Sequence, residues 1–274
     1  MKEIFNFQET VKNAAFFYVN SDEVVDHTGP VTSKLIHIGG LGKVQSKPLE
    51  KMYQDIFDSS KKGVIYFSFG SVAQSSYMPE PHKKAFLEAF AEFPEINFIW
   101  KYEKASDNIA KGLKNVFTFD WLPQNEILEH EKLLTFISHG GMNSVTEAAS
   151  KGVPMICIPI FADQPHNAKM LEDRGTAVVV DKNDISKKTI VAAIKKIIEN
   201  PEYKQKVKMI SKMIQSKPMT PEERVVKYAE FAAQFGATDV FQSEGRNLNF
   251  IQLYSIDVVG FLVFIIIAVI YLFF

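Results

Sequence analysis

The chain has 274 residues, of which 46% are hydrophobic and 23% are charged, and its formal net charge is −1. This composition is typical of a globular protein with one or two domains. It argues against a nucleic-acid partner, which usually requires a basic protein face. The single cysteine, Cys157, cannot form an intrachain disulfide, so the sequence does not indicate a redox compartment.

Residues 1–47 contain two short apolar segments, one within NAAFFYVNSDEVVD and one within TGPVTSKLIHIGGLG. Neither segment could bury a hydrophobic core by itself. We therefore interpret residues 1–47 as a linker together with the remnant of a preceding domain. The first residues, MKEIFNFQET, lack the basic and apolar regions of a signal peptide.

From Lys61 onward, apolar segments alternate with segments of helical periodicity. The predicted strands lie in GVIYFSFGS, INFIWKY, NVFTFDWLPQ, LLTFISHGG, VPMICIPIF and TAVVVD. Helices are predicted between most of these strands, in ISKKTIVAAIKKIIEN, and at about 201–216 and 220–235. Continuous apolar strands separated by helices indicate a parallel sheet covered on both faces. We therefore expect an α/β, Rossmann-like domain over residues 48–236.

The chain ends in an unbroken apolar run from Val258 to Phe274. Its length reaches the lower limit for a helix that crosses a bilayer. We therefore predict a transmembrane helix at 256–274, preceded by a juxtamembrane segment at 237–255. The alternative interpretation of the run is a helix buried in a protein core.

Polar or aromatic side chains follow four of the predicted strands at or just beyond their carboxyl ends. These are Ser71, Trp121, His139 and Asp163. Ligands of open parallel sheets bind beyond the carboxyl ends of the strands. The sequence therefore predicts a ligand cleft along one edge of the sheet.

The segment HGGMNS has the character of a phosphate-binding turn. Gly140 and Gly141 allow the backbone to approach a ligand closely, and the helix that follows presents its positive end. His139, Ser144 and Ser71 could each bond to phosphate. The alternative is a plain strand–turn–helix in which Asn143 or Ser144 caps the helix. The segment matches neither GxxxxGK[ST] nor GxGxxG.

The other candidate residues suit a nucleoside and a sugar. Trp121 could stack on a planar base, and Gln124 could pair with the amide edge of that base. Glu147 could accept hydrogen bonds from a ribose diol, whereas Asp163 and Gln164 suit sugar hydroxyls. The alternatives are a core position for Trp121, a solvated helix charge for Glu147 and a helix N-cap for Asp163. Together these residues predict a site for a nucleotide-diphosphate sugar.

The segment from Trp121 to Ala168, with the spacing W-x2-Q, H-x-G-x-N-S-x2-E and D-Q, resembles the signature of the UDP-glycosyltransferases. The resemblance extends from about residue 14 to the apolar terminus. It is strongest to the animal, membrane-bound UDP-glucuronosyltransferase and UDP-glucosyltransferase branch. It implies a GT-B fold, in which two Rossmann-like domains face each other across a cleft.

The resemblance also implies a role for each candidate residue. Trp121 and Gln124 would contact uracil, and Glu147 would hold the ribose hydroxyls. Asp163 and Gln164 would bind the sugar. The residues around the diphosphate would be Ser71, His139, Gly141, Asn143 and Ser144.

The implied reaction is inverting transfer of glucuronate or glucose from UDP-glucuronate or UDP-glucose to a small lipophilic acceptor. It needs no metal and no further cofactor. The partners would be the UDP-sugar, the acceptor and the membrane, with homo- or hetero-oligomers of transferases as a further option. The resemblance implies a single-pass protein of the endoplasmic reticulum.

In the family, the catalytic base is a histidine of the N-terminal acceptor domain. His27 and His37 match no base motif, and His139 belongs to the donor signature. We therefore expect this sequence to be the donor-binding half of a longer enzyme, with little or no transferase activity by itself. The alternative is a non-catalytic, membrane-bound UDP-sugar-binding partner of full-length transferases.

Overall fold

The computed structural model divides the chain into two compact units. The larger comprises Val19–Gly29 and His37–Val226, and the smaller comprises Met1–Tyr18, Pro30–Ile36 and Lys227–Phe274. The structure describes all residues except 1–9, 12, 28, 43–46, 243 and 274. The predicted linker at 1–47 therefore lies partly outside the described residues.

Eight strands are present in the described part of the chain. Two short strands, β1 (Phe17–Val19) and β2 (Leu35–His37), pair with each other. The others are β3 (Gly63–Ser68), β4 (Ile96–Lys101), β5 (Val116–Phe119), β6 (Leu133–Ser138), β7 (Met155–Cys157) and β8 (Ala177–Val179). These six form one parallel sheet in the order β5-β4-β3-β6-β7-β8, which confirms the predicted α/β fold.

Helices lie before, between and after these strands, and each of them except the first follows the sequence pattern. They are α1 (Lys51–Ser59), α2 (Glu80–Ala91), α3 (Gln124–Glu129), α4 (Met142–Lys151), α5 (Gln164–Asp173), α6 (Lys187–Glu199), α7 (Pro201–Gln215) and α8 (Pro221–Phe235). Short 3₁₀ turns lie at Ser75–Tyr77, Ala105–Asp107, Lys182–Asp184, Asp239–Phe241 and Glu244–Asn247. Helix α6 begins with a capping box, because Ser186 and Thr189 each bond to the backbone of the other.

The core lies on both faces of the six-stranded sheet. Alternate side chains of β3 point to opposite faces, as the pleat requires. Tyr66 packs in the layer that contains Phe136, whereas Phe67 packs with Trp100 in the other layer. Because both faces are covered, the strands have the continuous apolar character seen in the sequence.

The strand order creates one topological switch point. From β3 the chain proceeds outward through β4 to β5, and then crosses to β6 on the other side of β3. The connection after β3 therefore runs toward β4, whereas the connection after β6 runs toward β7, in the opposite direction across the sheet. A crevice is expected between them at the carboxyl ends of the two strands.

Residues 19–27, which we call the N-terminal strap, belong to the larger unit and pack against the rest of it. Val25 is only 2% exposed and belongs to the core. The guanidinium of Arg174 donates to the backbone carbonyls of Val25 and Asp26. Although the strap is too short to bury a core of its own, it adds side chains to an existing one. Part of the predicted linker is therefore an integral part of the larger unit.

A cluster of ion pairs fixes the same strap. Lys217 Nζ lies 2.8 Å from both Asp22 Oδ1 and Glu23 Oε2, and Arg224 Nη2 donates to Glu23 Oε1 at 2.6 Å. Burial by itself raises the pKa of Glu23. Hydrogen bonds from Lys217, from the backbone N–H of Glu23 and from Arg224 outweigh burial and lower that pKa to about 2. The ionised form is therefore stabilised by folding.

The smaller unit contains an aromatic cluster and the apolar terminus. The ring of Phe16 lies 5.0 Å from that of Tyr228 and 6.0 Å from that of Phe231. A short helix, α9 (Phe250–Leu253), precedes α10 (Ile256–Phe273). The 18 residues of α10 are long and apolar enough to cross a membrane, and none of them is buried within the protein.

We expect acid to weaken the attachment of the strap. Because folding lowers the pKa of Glu23 from its ordinary value of 4.5, the contribution of Glu23 to stability is complete above about pH 4.5. It is lost as the pH falls toward about 2. Melting temperatures measured across this range should fall less steeply for Glu23→Gln than for the wild type. Equal slopes for the two proteins would contradict this role of Glu23.

Candidate functional site

A cavity of about 640 Å³ opens at the switch point, beyond the carboxyl ends of β3 and β6. Its size is within the usual range for a small-molecule site. The structure brings eight of the ten predicted site residues to its wall: Ser71, Trp121, Gln124, His139, Gly141, Asn143, Ser144 and Glu147. Asp163 and Gln164 are the two that do not line it.

Two similar glycine turns form the floor of the cavity. At the end of β3, Ser68 Oγ accepts from Gly70 N–H at 3.1 Å. At the end of β6, Ser138 Oγ accepts from Gly140 N–H at 3.4 Å. Gly70 and Gly140 have φ of 83° and 82°, a region that side chains other than glycine rarely adopt. Each strand can therefore reverse sharply at the cavity edge.

The imidazole of His139 fills the space between these turns. A Cβ added to Gly141 would lie 2.6 Å from His139 Nε2, and one added to Gly70 would lie 3.0 Å from His139 Cε1. Burial lowers the pKa of His139, and the carboxylate of Asp163 opposes that shift. His139 is therefore a neutral hydrogen-bonding group at neutral pH.

Helix α4 begins two residues earlier than an Asn143 cap would require, and three residues earlier than a Ser144 cap would require. Its N-cap is Gly141, and no side chain bonds to its first-turn N–H groups. The alternative in which Asn143 or Ser144 caps the helix is therefore wrong. Asn143 Oδ1 instead accepts from Asn20 Nδ2 at 2.9 Å, so the strap reaches the cavity wall. The first turn of α4 leaves its positive end available to an anion.

Gln124 is held by a short chain of hydrogen bonds. The hydroxyl of Tyr66 donates to Gln124 Oε1 at 3.0 Å, and Gln124 Nε2 donates to Glu147 Oε2 at 2.5 Å. Burial raises the pKa of Tyr66, which keeps its hydroxyl protonated. Glu147 is thus not the solvated helix charge considered as an alternative. Its carboxylate is half-buried and already accepts one hydrogen bond.

Trp121 is not the core tryptophan of this protein. Its side chain is 69% exposed at the cavity rim, whereas Trp100 is fully buried in the sheet. Lys101 Nζ lies 5.6 Å from the centre of the Trp121 ring. The other ring face is available to a planar ligand.

Asp163 and Gln164 lie on the loop that follows β7. Gln164 is buried, and its Oε1 accepts from the backbone N–H groups of Ile160 and Phe161 at 2.8 and 3.0 Å. Asp163 is exposed, and its Oδ2 accepts from Asn167 Nδ2 at 2.7 Å. Asn167 Nδ2 also donates to Gly140 O at 3.0 Å. This loop is therefore connected to the glycine turn of the cavity floor.

Sequence reasoning missed Tyr66, Lys101 and Asn20. Lys101 is the last residue of β4, so the same strand-end argument that selected His139 could have selected it. Tyr66 lies within an apolar strand, and Asn20 lies in the predicted linker. Neither has a sequence signal that distinguishes it from a core or surface residue.

The described residues contain no group of three or more His, Cys, Asp and Glu side chains that could hold a metal ion. The polar groups of the cavity are hydroxyl, amide, imidazole, carboxylate and ammonium groups. Such groups suit a polar organic ligand that carries phosphate.

We expect Gly141→Ala to displace the imidazole of His139, because the added methyl group would overlap Nε2. The ring would move toward solvent, and its lowered pKa would rise toward the ordinary value of 6.5. Titration by NMR would measure this change. Gly29→Ala is the control, because its added Cβ would meet no atom within 4 Å. An unchanged His139 pKa in Gly141→Ala would contradict the packing described here.

Comparison with known proteins gives a consistent result. A family model described as "UDP-glucoronosyl and UDP-glucosyl transferase" matches residues 2–274. The chain is 35% identical over 257 residues to ugt-47 of Caenorhabditis briggsae, a protein named with the UDP-glucuronosyltransferases. The match covers 92% of this chain and 48% of that protein.

Two further relatives also match nearly all of this chain over about half of their own length. UDP-glucosyltransferase 2 of Dactylopius coccus is 33% identical, over 94% of this chain and 49% of that protein. UDP-glucuronosyltransferase 2B7 of Homo sapiens is 33% identical, over 96% of this chain and 49% of that protein. The chain thus spans about half the length of the curated relatives that it matches, and corresponds to their C-terminal half.

Solved glycosyltransferase structures share the fold. UDP-glucose: anthocyanidin 3-O-glucosyltransferase, solved in complex with UDP, has a TM-score of 0.61 and 23% identity over 73% of this chain and 48% of that chain. The glycotransferase of kitacinnamycin has a TM-score of 0.60 and 22% identity over 73% of this chain and 49% of that chain. The larger unit therefore has the fold of one GT-B domain, and the chain belongs to the UDP-glucuronosyl and UDP-glucosyl transferase family.

Proposed function

We propose that the cavity binds the uridine diphosphate part of a UDP-sugar, and that this chain supplies the donor side of a UDP-glycosyltransferase. The observation that carries the proposal is the convergence of seven residues of the family signature, together with Ser71, on one cavity at the switch point. The names of the relatives favour a transferase over a non-catalytic UDP-sugar-binding partner.

The nucleoside end would lie between Trp121 and Glu147. Uracil would stack on the exposed face of Trp121 and pair with Gln124. The ribose hydroxyls would donate to the carboxylate of Glu147, which in the present structure accepts from Gln124. The bond between Gln124 and Glu147 keeps both groups oriented until the nucleoside arrives.

The diphosphate would lie at the start of α4, where the N–H groups of the first turn have no side-chain cap. Anions are stabilised at this end of a helix by the aligned backbone dipoles. His139, in its neutral form, would donate one N–H to a phosphate oxygen. Ser71 and Ser144 would add hydroxyl donors.

The sugar would extend toward the loop after β7. Asp163 is exposed there and can accept from hydroxyl groups. The Oε1 atom of Gln164 is used by the backbone, so Gln164 can contribute only its Nε2 donor. These groups suit glucuronate or glucose, and relatives named for each sugar are found.

The proposed reaction is inverting transfer to a small lipophilic acceptor. The acceptor oxygen attacks the anomeric carbon while a general base takes its proton, and UDP leaves. We propose that neither a metal nor a further cofactor takes part. We assign the base and the acceptor site to the part of the relatives that this chain does not match. His139 is part of the donor cavity in this scheme and is not the base.

We further propose that α10 anchors the protein as a single-pass membrane protein of the endoplasmic reticulum. The support is the length and apolar character of Ile256–Phe273 and the absence of buried residues in it. Association with further transferase chains is part of the same proposal.

Isothermal titration of the full chain with UDP tests the nucleotide site. Trp121→Ala should weaken UDP binding by about 1–3 kcal/mol, the range for loss of one aromatic stacking contact with a base. Tyr77→Ala is the matched control, because Tyr77 is an exposed aromatic side chain that does not line the cavity. Normal UDP binding by Trp121→Ala, or no binding by the wild type, would refute the assignment.

A second variant tests the ribose contact. Glu147→Ala should weaken UDP binding by about 1.5–3 kcal/mol, the range for hydrogen bonds to a charged group. It should leave the affinity for 2′,3′-dideoxyuridine diphosphate nearly unchanged, because that analogue lacks the diol. Equal losses for both nucleotides would show that Glu147 does not bind the ribose.

A further inference from the structure

Lys101 is a buried cation at the end of β4, beside the cavity. It is 7% exposed. Its Nζ donates to Gly70 O at 3.0 Å and to Glu103 Oε1 at 2.9 Å. Burial of an ammonium group is costly unless the group is paired and hydrogen-bonded, and both conditions are met here.

The hydrogen bond to Gly70 O connects Lys101 to the turn that precedes Ser71. Gly70 is the left-handed residue of that turn, and its carbonyl is one of the Lys101 acceptors. Ser71 and Trp121 both line the cavity. Lys101 therefore contacts two separate segments of the cavity wall.

Apart from Lys101, few protein groups restrict the orientation of the Trp121 side chain. Its side chain is 69% exposed, so most of the ring is not in contact with other protein atoms. A tryptophan this exposed would sample several rotamers. A cation 5.6 Å from the ring centre lies within the range of a favourable cation–π interaction and favours one orientation.

We propose that Lys101 is a positioning residue, which holds the indole of Trp121 and the Gly70–Ser71 turn so that the cavity is open to a planar base before the nucleotide binds. Lys101 occupies one side of the indole and leaves the other to the base. The proposal rests on the proposed function, because it assumes that the cavity binds UDP. Its basis is that ordering a side chain in advance removes an entropic cost from binding.

A double-mutant cycle with UDP tests this inference. Lys101→Met in the wild-type background should weaken UDP binding about 2- to 5-fold, the range for an exposed cation–π contact. The same change in a Trp121→Ala background should have a smaller effect, because the ring that Lys101 orients is gone and only the contact with the Gly70–Ser71 turn is lost. Lys101→Arg should retain most of the wild-type affinity, because a guanidinium group also stacks on an indole.

Other outcomes would overturn the inference. Equal losses in the two backgrounds would mean that Lys101 acts through the fold or directly on the ligand. A loss for UDP without a loss for uridine would mean direct attraction to the diphosphate. Absence of UDP binding by the wild type would refute the proposed function itself, which distinguishes the two failures.

A second pair of variants covers the case in which Lys101→Met leaves Glu103 unpaired and the protein unfolds. Lys101→Gln combined with Glu103→Gln removes both charges together. It should reproduce the loss of affinity, whereas Glu103→Gln alone should bind UDP nearly as the wild type does. Melting temperatures of all variants would show that the folded protein is being titrated. Wild-type affinity in the double variant would contradict the proposal.

Discussion

The order of strands in the sheet is the constraint on which the site depends. Because the chain leaves β3 in one direction and β6 in the other, the carboxyl ends of these neighbouring strands face a space that no connection crosses. The cavity occupies that space. The residues on its wall come from segments far apart in sequence, and the parallel register of β3 and β6 brings their strand ends together.

Side chains that serve the fold also orient the site. Ser68 and Ser138 are strand residues, yet their hydroxyl groups stabilise the glycine turns that form the cavity floor. The space left by missing side chains at Gly70 and Gly141 is occupied by the ring of His139. The arrangement of the cavity is therefore largely set by the folded protein before any ligand is present.

Much of the larger unit could be predicted from the sequence, because continuous apolar strands and amphipathic helices follow local rules. Eight site residues could also be placed at one edge, since they follow strands or open the helices after them. The attachment of the strap could not be predicted, because it depends on ion pairs with Lys217 and Arg224 that no local pattern shows. The partners of Gln164 were equally invisible, because its bonds to Ile160 and Phe161 depend on the path of one loop.

The position of the strap has a consequence for biosynthesis. Glu23 is translated before its partners Lys217 and Arg224, which follow it in the sequence by 194 and 201 residues. Contacts of such large sequence separation form slowly, because a long loop must close first. The domain therefore completes its packing only when its last helices have been translated, shortly before the apolar helix Ile256–Phe273 leaves the exit tunnel.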